Sequence, residues 1–199
     1  IIISTGIAKL EDIQLAIETC RKEGNENVIL LKCTSAYPAP YEDMNINVIP
    51  NMSETFDCLV GLSDHSMGDE VAIAAVALGA KVIEKHVTLS RSDGGVDAEF
   101  SMEIDEFAEM VRKIRNIEKA LGKVTYELTQ KQLNSREGSR SLFIAEDIKK
   151  GQEFTAENVK SVRPGNGMHT KHYFDVLGKV ATCDLEKGTP LEWKYIKEK

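Results

Sequence analysis

Two of the chain's four histidines, His65 and His86, stand where short apolar runs give way to polar loops: Gly61-Leu62-Ser63-Asp64-His65 and Val82-Ile83-Glu84-Lys85-His86. Each run suits a buried strand, so each imidazole is expected at the carboxyl end of a strand. Neighbouring strands lie about 4.8 Å apart, near enough for two imidazoles to converge on one divalent ion. Neutral imidazole suits Mn²⁺, Fe²⁺ or Zn²⁺, with Asp64, Glu84 or Asp97 as a further ligand or an orienting carboxylate. Two histidines are too few for a closed structural zinc site. An incomplete shell leaves positions for water and substrate, as catalysis requires. Histidines that only satisfy a strand end would occupy the same positions, and spacing does not separate the two readings.

Other groups could join them. The loop Arg91-Ser92-Asp93-Gly94-Gly95-Val96-Asp97 offers glycines for close backbone approach. Asp97 can bond sugar hydroxyls, and Arg91 can pair with phosphate or carboxylate. A solvated connecting loop would look the same. Tyr37-Pro38-Ala39-Pro40-Tyr41 reads as a stacking surface for a sugar or as a rigid loop. Cys33 falls at a strand end, but the sequence puts no base beside it, so buried packing is expected rather than nucleophilic chemistry. Arg163-Pro164-Gly165-Asn166-Gly167 is a turn signature whose arginine could reach an acidic or amide group, or simply lie at the surface.

The elements that must hold these residues alternate. Strands are expected at Ile1–Thr5, Val28–Thr34, Cys58–Ser63 and Lys81–His86, and helices at about Lys9–Glu23, Glu70–Leu78 and Asp105–Leu121. Leu10, Ile13, Leu15, Ala16 and Ile17 are read as the apolar stripe of the first helix. The stretch with Pro38, Pro40 and Pro50 is read as a long loop. Strands alternating with helices imply an α/β fold with a parallel sheet. Four βα units are about half of a (β/α)₈ TIM barrel, whose active site lies at the carboxyl ends of the strands: here Ser4-Thr5, Cys33-Thr34-Ser35, Ser63-Asp64-His65 and Glu84-Lys85-His86. An open doubly wound sheet is the competing architecture, with Ser4-Thr5-Gly6 as only a weak phosphate turn. Because Ile1-Ile2-Ile3 reads as the middle of a core strand, the chain is expected to be part of a longer protein whose upstream residues complete this first domain.

Residues 122–139 are polar, lack an apolar period and are read as a linker with a short helical piece. Residues 140–199 carry a net charge of +2 against -9 for the first 139, a shift that places a domain boundary near 139. The last segment repeats itself: Asp147-Ile148-Lys149-Lys150-Gly151 with Phe154 and Val159 matches Asp184-Leu185-Glu186-Lys187-Gly188 with Leu191 and Ile196, at a constant offset of 37 positions. Each copy is read as a strand, a Lys-Gly turn and a short helical start, giving a small pseudo-symmetric β-rich domain over 140–199.

Composition narrows the classes. With 42% hydrophobic and 29% charged residues the chain is globular rather than disordered. Its net charge of -7 excludes a general nucleic-acid binder. No apolar run approaches the roughly 18 residues of a membrane span. Cys20, Cys33, Cys58 and Cys183 are scattered without a CxxC, which suits a reducing, cytoplasmic setting.

The run Leu31-Lys32-Cys33-Thr34-Ser35-Ala36-Tyr37-Pro38, with Gly61-Leu62-Ser63-Asp64-His65 and Val82-Ile83-Glu84-Lys85-His86, resembles the sialic acid synthase family across essentially the whole chain. Arg163-Pro164-Gly165-Asn166-Gly167 and Leu177-Gly178-Lys179 resemble that family's antifreeze-like (SAF) domain. The resemblance implies an enzyme that condenses phosphoenolpyruvate with an N-acetylated amino-sugar and releases phosphate. It implies that His65 and His86 hold a divalent metal, usually Mn²⁺, with Mg²⁺ or Co²⁺ as alternatives. It makes His65, His86 and Asp97 the catalytic set. Ser4 and Ser63 match positions that contact phosphoenolpyruvate, Tyr37 and Asp97 match positions near the sugar, and Ser35 joins the substrate-binding residues. Arg163 matches an arginine that enters the partner subunit's site in a domain-swapped homodimer. The loop from Arg91 to Ser101, with Ala98 after Asp97, resembles the members that make pseudaminic acid from 2,4-diacetamido-2,4,6-trideoxy-altrose. N-acetylneuraminate or legionaminate synthesis is the alternative within the family. A truncated, non-catalytic binding or dimerisation module is the alternative outside it, since the lysines that grip phosphoenolpyruvate come in this family from a first half-barrel not present in these residues. Other metal-dependent barrel enzymes, such as aldolases or heptulosonate-type synthases, do not usually carry the C-terminal repeat.

Overall fold

Leucine- and isoleucine-rich runs become four parallel strands in the computed structural model, which describes residues 1–199: β1 (Ile2–Ser4), β2 (Ile29–Cys33), β3 (Leu59–Asp64) and β4 (Ile83–Lys85). They lie in the order β1-β2-β3-β4, each beside its predecessor in the chain. The order never reverses, so these four strands contain no topological switch point of the doubly wound kind. This α/β unit spans Ile1–Lys123; a second unit spans Val124–Lys199.

Three helices fill the crossovers: α1 (Leu10–Lys22), α2 (Val48–Phe56) and α3 (Glu70–Ala77). Side chains alternate along a strand, so Leu30, Val60 and Leu62 meet these helices in one core with Ile17, Ile49, Met52, Phe56, Val71 and Ala75. The α1 stripe differs from the expected one. Leu10 and Leu15 are exposed, and Ile13, Ile17 and Cys20 do the packing. Their spacings of four and three keep them on one helical face, whereas Leu15 sits two residues from both Ile13 and Ile17 and points away.

The expected long loop also contains a helix, α2. Pro50 stands third in it, after Val48 and Ile49. The first N–H groups of a helix have no partner within it, so a proline there removes nothing. α3 is apolar on several sides because it is covered twice: Val71 and Ala75 face the sheet core, and Ala72 faces α4 (Ile104–Leu121) with Met110 and Ile114. Lys113 Nζ donates to Asp69 Oδ2 at 2.7 Å and ties α4 to the start of α3.

The opposite face of the sheet carries Ile2, Ser4, Leu31, Cys33, Gly61, Ser63 and Glu84, aligned by register. Gly61 allows a close approach there: a Cβ would lie 2.4 Å from the Val82 carbonyl and 2.7 Å from Leu31 Cδ2. Ile2 and Leu59 are 58% and 55% exposed, so the amino-terminal part of this face lacks the cover the helices give the other. Beyond β4, short strands β5 (Val87–Thr88) and β6 (Met102–Glu103) pair in parallel and lead into α4.

Within residues 122–139, α5 (Gln130–Glu137) forms, capped where Thr129 Oγ1 accepts from the Gln132 N–H and Gln132 Oε1 accepts from the Thr129 N–H. It belongs to the second unit. There β7 (Ser141–Ile144) lies between β8 (Val159–Val162) and β9 (Met168–His169), all antiparallel; α6 (Tyr173–Val176) follows, and β10 (Val180–Ala181) pairs with β11 (Ile196–Lys197). Leu142, Ile144, Ile148, Phe154, Val159, Leu185 and Leu191 form the core.

The offset of 37 residues reappears in the hydrogen bonds. The Gly151 N–H donates to Ala181 O and the Gly188 N–H to Ile144 O, both at 2.8 Å. The Ala181 N–H donates to Gln152 O and the Ile144 N–H to Thr189 O, both at 2.9 Å. Ile148 and Leu185 exchange both backbone bonds at 2.8 Å across the pseudo-two-fold. Gly151 and Gly188 share a left-handed φ, +84° and +89°, that closes each Lys-Gly turn without steric cost. The expected strand in each copy is only this single bridge, and a 3₁₀ turn at Trp193–Tyr195 follows only in the second copy.

Aspartates cap the two turns reciprocally. Asp147 Oδ1 accepts from the Lys187 N–H and Asp184 Oδ1 from the Lys150 N–H, both at 2.8 Å. The Lys150 N–H, then Lys149 Nζ, hold the Asp184 carboxyl below the ordinary aspartate range. A group depressed on folding stabilises fully above its unfolded pKa and ceases to as pH falls through the folded one. Asp184→Asn is expected to flatten the acid limb of the second unit's stability below about pH 4. Thermal unfolding followed by Trp193, the chain's one tryptophan, reads this directly; an unchanged acid slope would remove Asp184 from that role.

Candidate active site

His65 follows β3 and His86 follows β4, and alternation turns both rings to the sheet face opposite the helices. Their centroids are 5.2 Å apart, edge to face. His65 is buried, while the His86 side chain is 32% exposed.

Each ring is oriented through Nδ1. His65 Nδ1 lies 2.9 Å from the Thr34 carbonyl. A carbonyl only accepts, so Nδ1 is the donor, and in the neutral ring this leaves the lone pair on Nε2. Lys32 Nζ steadies that corner by donating to Cys33 O at 2.6 Å and Thr34 Oγ1 at 3.0 Å, and burial holds its ammonium below the ordinary lysine range. His86 Nδ1 faces Asp97 Oδ2 at 3.4 Å. An orienting carbonyl on one ring and a carboxylate beside the other is the usual outer arrangement of metal-binding histidines.

Backbone bonds bring the aromatic walls in. The Ala39 N–H donates to His65 O at 2.9 Å and lays the Tyr37–Pro40 loop over β3. Tyr37 then stacks 4.3 Å from His65 and 6.0 Å from His86. The Met102 N–H donates to His86 O at 2.9 Å, and Phe100 stands 5.1 Å from His86 and 5.8 Å from Tyr37. Phe100 was not singled out in the sequence as a wall residue; its place in the loop that returns from Asp97 was the available signal.

The remaining residues fall into place around this pair. Ser63 is buried and donates to Glu84 Oε1 at 2.7 Å. Ser4 lies on the same face, level with Leu31 and Gly61 and one side-chain step toward the amino ends from Cys33 and Ser63. Ser35 is exposed beside the turn after β1, its Oγ 2.1 Å from where a Cβ on Gly6 would lie. Arg163 is exposed in the second unit, in the turn after β8.

Three expectations change. Asp64 is not aimed at the imidazoles: alternation turns it to the other face, where Lys85 Nζ donates to it at 2.8 Å, both side chains at most 1% exposed. Cys33 does have an imidazole nearby, His65 Nδ1 at 3.9 Å, but that nitrogen's proton is committed to Thr34 O, so it is no base for the buried thiol. Arg91 is engaged within its own loop: Nε donates to Ser101 O at 3.0 Å, its backbone N–H to Glu103 Oε1 at 2.9 Å, and its guanidinium pairs with Glu106. That pairing raises the Arg91 pKa and lowers that of Glu106.

The histidine pair fits a divalent ion. Metal–imidazole bonds of about 2.0–2.1 Å put the centres of two rings sharing an ion about 4.5–5.5 Å apart, which includes the separation found. No group of three or more His, Cys, Asp or Glu side chains is placed to hold a metal.

The sequence profile of the NeuB family matches residues 1–126, and that of the SAF domain matches residues 139–197. The chain belongs to the NeuB family. Among NeuB relatives it is 49% identical to a pseudaminic acid synthase of Campylobacter jejuni over 96% of its own length and 56% of that protein's. It is 41% identical to an N,N'-diacetyllegionaminic acid synthase of the same species, over 94% and 57%. The crystal structure of spore coat polysaccharide biosynthesis protein SpsE from Bacillus subtilis matches all of the chain and 61% of that protein, with a TM-score of 0.59 and 34% identity. The chain thus spans little more than half the length of the relatives it matches. No helix is long and apolar enough to cross a membrane.

Arg91 fastens both ends of the loop that carries Asp97 and Phe100. Arg91→Ala is therefore expected to speed amide hydrogen exchange several-fold across residues 91–101 while leaving the β1–β4 strands protected. Unchanged exchange in that segment would show that the arginine does not close the loop.

Proposed function

We propose that the chain carries the metal-binding and sugar-reading part of an enzyme that condenses phosphoenolpyruvate with 2,4-diacetamido-2,4,6-trideoxy-altrose to give pseudaminic acid and phosphate. The observation that carries the reading is the pair of oriented imidazoles at 5.2 Å, walled by Tyr37 and Phe100. The higher identity to a pseudaminic acid synthase than to a legionaminic acid synthase of one species supports the acceptor.

In this reading His65 and His86 hold Mn²⁺ through Nε2, with Mg²⁺ or Co²⁺ as alternatives. When bound, the ion supplies a Lewis acid for the sugar's aldehyde oxygen. The chain's own residues do the rest. Thr34 O and Asp97 fix the two rings so that their free nitrogens stay aimed. Tyr37 and Phe100 shield the pair from water and give the sugar an apolar wall. Ser4 and Ser35 offer hydroxyls along the strand ends to an anionic substrate, and Ser63 joins them only on turning its proton away from Glu84. Asp97, half exposed beside His86, is the group best placed to accept a sugar hydroxyl.

The four-stranded sheet is, in this reading, half of a (β/α)₈ barrel. Helices on one face only, unreversed strand order and exposed Ile2 and Leu59 on the other face support that. Arg163, exposed in its turn, reads the N-acetyl group in the partner copy of a domain-swapped dimer, and the enzyme works in the cytoplasm.

The deciding experiment measures phosphate release from phosphoenolpyruvate by the full open reading frame with Mn²⁺. The trideoxy-altrose acceptor and N-acetylmannosamine are offered in parallel. Turnover with the former alone is expected. Turnover with N-acetylmannosamine alone would move the protein to another branch of the family, and silence with both would favour a binding or dimerisation module. His65→Ala is expected to abolish turnover with the circular dichroism spectrum intact, and activity retained at saturating Mn²⁺ would overturn the ligand assignment. Arg163→Ala is expected to raise the apparent KM for the sugar about ten-fold and that for phosphoenolpyruvate little, as loss of a charged hydrogen bond would; equal changes in both would make the arginine structural.

A further inference from the structure

Asp64 and Lys85 immediately precede His65 and His86, and they are register partners on β3 and β4. Their side chains meet on the helix-facing side, at 2.8 Å and at most 1% exposed. The imidazoles meet on the other side. One residue step on each strand thus separates a buried ion pair from the two rings.

The pair does more than neutralise itself. Asp64 Oδ1 accepts from the Ser66 backbone N–H at 2.9 Å and from Ser66 Oγ at 2.6 Å. Lys85 Nζ donates to the Ser66 carbonyl at 2.6 Å. His65 is therefore the middle residue of a three-residue turn bonded on both flanks to the strand that carries His86. No buried side-chain polar atom in the chain lacks a partner, so the network is complete. A buried ion pair contributes little net stability over apolar side chains of equal volume; what it adds is direction, because its bonds hold at one geometry only.

We infer that Asp64 and Lys85 are positioning residues that set the spacing and aim of the His65–His86 pair from behind the sheet. The inference rests on the reading of those histidines as metal ligands. The cross-strand bond fixes how far the two strand ends separate, and the Ser66 bonds fix the turn that aims His65. Without them the strands can still pair, but the two rings lose their common focus.

The test replaces the pair by apolar side chains, Asp64→Leu with Lys85→Met, in the full open reading frame. The double variant is expected to keep the parent circular dichroism spectrum. Its Co²⁺ affinity, measured by calorimetry, is expected to fall about ten-fold or more, as for other losses of support behind metal ligands. The visible absorption of the bound Co²⁺ should change with it, and in metal-free protein the imidazole nitrogen NMR signals of both histidines should shift. Lys85→Arg, which keeps the charge, should recover part of the affinity. Parent affinity and spectrum in a folded double variant would overturn the inference and leave the pair purely structural. If the double variant does not fold, Asp64→Asn decides by the same readings, since it keeps the shape and removes the charge. His65→Ala and His86→Ala separate the two claims. If neither lowers Co²⁺ binding by the parent, the metal reading itself fails. If both lower it while the pair variants leave it unchanged, only the positioning role fails.

Discussion

Side-chain alternation along β3 and β4 is the constraint on which the rest of the first unit depends. Leu62 must face the helices to complete the core, and that parity sends Asp64 to the same side and Ser63 and His65 to the other. β4 is locked to β3 in register, so Lys85 and His86 inherit the same division. A slip of one residue would turn the imidazoles toward the helices and place the ion pair among the aromatic rings. Core packing and site geometry are thus one choice of register. The Tyr37 loop and the segment leading to Phe100 are attached to the two histidine carbonyls, so they follow the same choice.

The second unit is organised by internal repetition. Its core residues come in pairs separated by the same interval, Ile148 with Leu185 and Phe154 with Leu191, and the backbone bonds obey that interval as well. The acidic side chains at the two turns complete the reciprocity, each capping the other copy's lysine N–H. Few regular strands result, because each copy spends its backbone groups on its counterpart in short bridges rather than on a long ladder.

Much of this could be read from residue order. The strands and most helices follow from apolar period, and the repeat from identity at constant offset. What could not be read has definite physical causes. Pro50 looks like a breaker, yet it falls where a helix has spare N–H groups and α2 accommodates it. Leu15 looks like core, but its angle on the helix turns it to solvent. At the candidate site, the strand-end positions of His65 and His86 were visible, whereas the Thr34 carbonyl that orients His65 is backbone and leaves no mark in residue type. Asp64 looked like a metal ligand because adjacency in sequence suggests adjacency in space; along a strand, adjacency means opposite faces.

The reciprocal bonding of the second unit has a consequence for how that unit comes into being. The Gly151 and Gly188 N–H groups find their acceptors in Ala181 and Ile144, 30 and 44 residues away, and Ile148 meets Leu185 across 37. Loop closure over such separations must precede the bonds that reward it, and folds dominated by distant pairings form slowly. The first copy closes the β7–β8 ladder by itself, but the Lys-Gly turns of both copies take their long-range bonds from the other copy. The two turns therefore close together, once the second copy has reached the first.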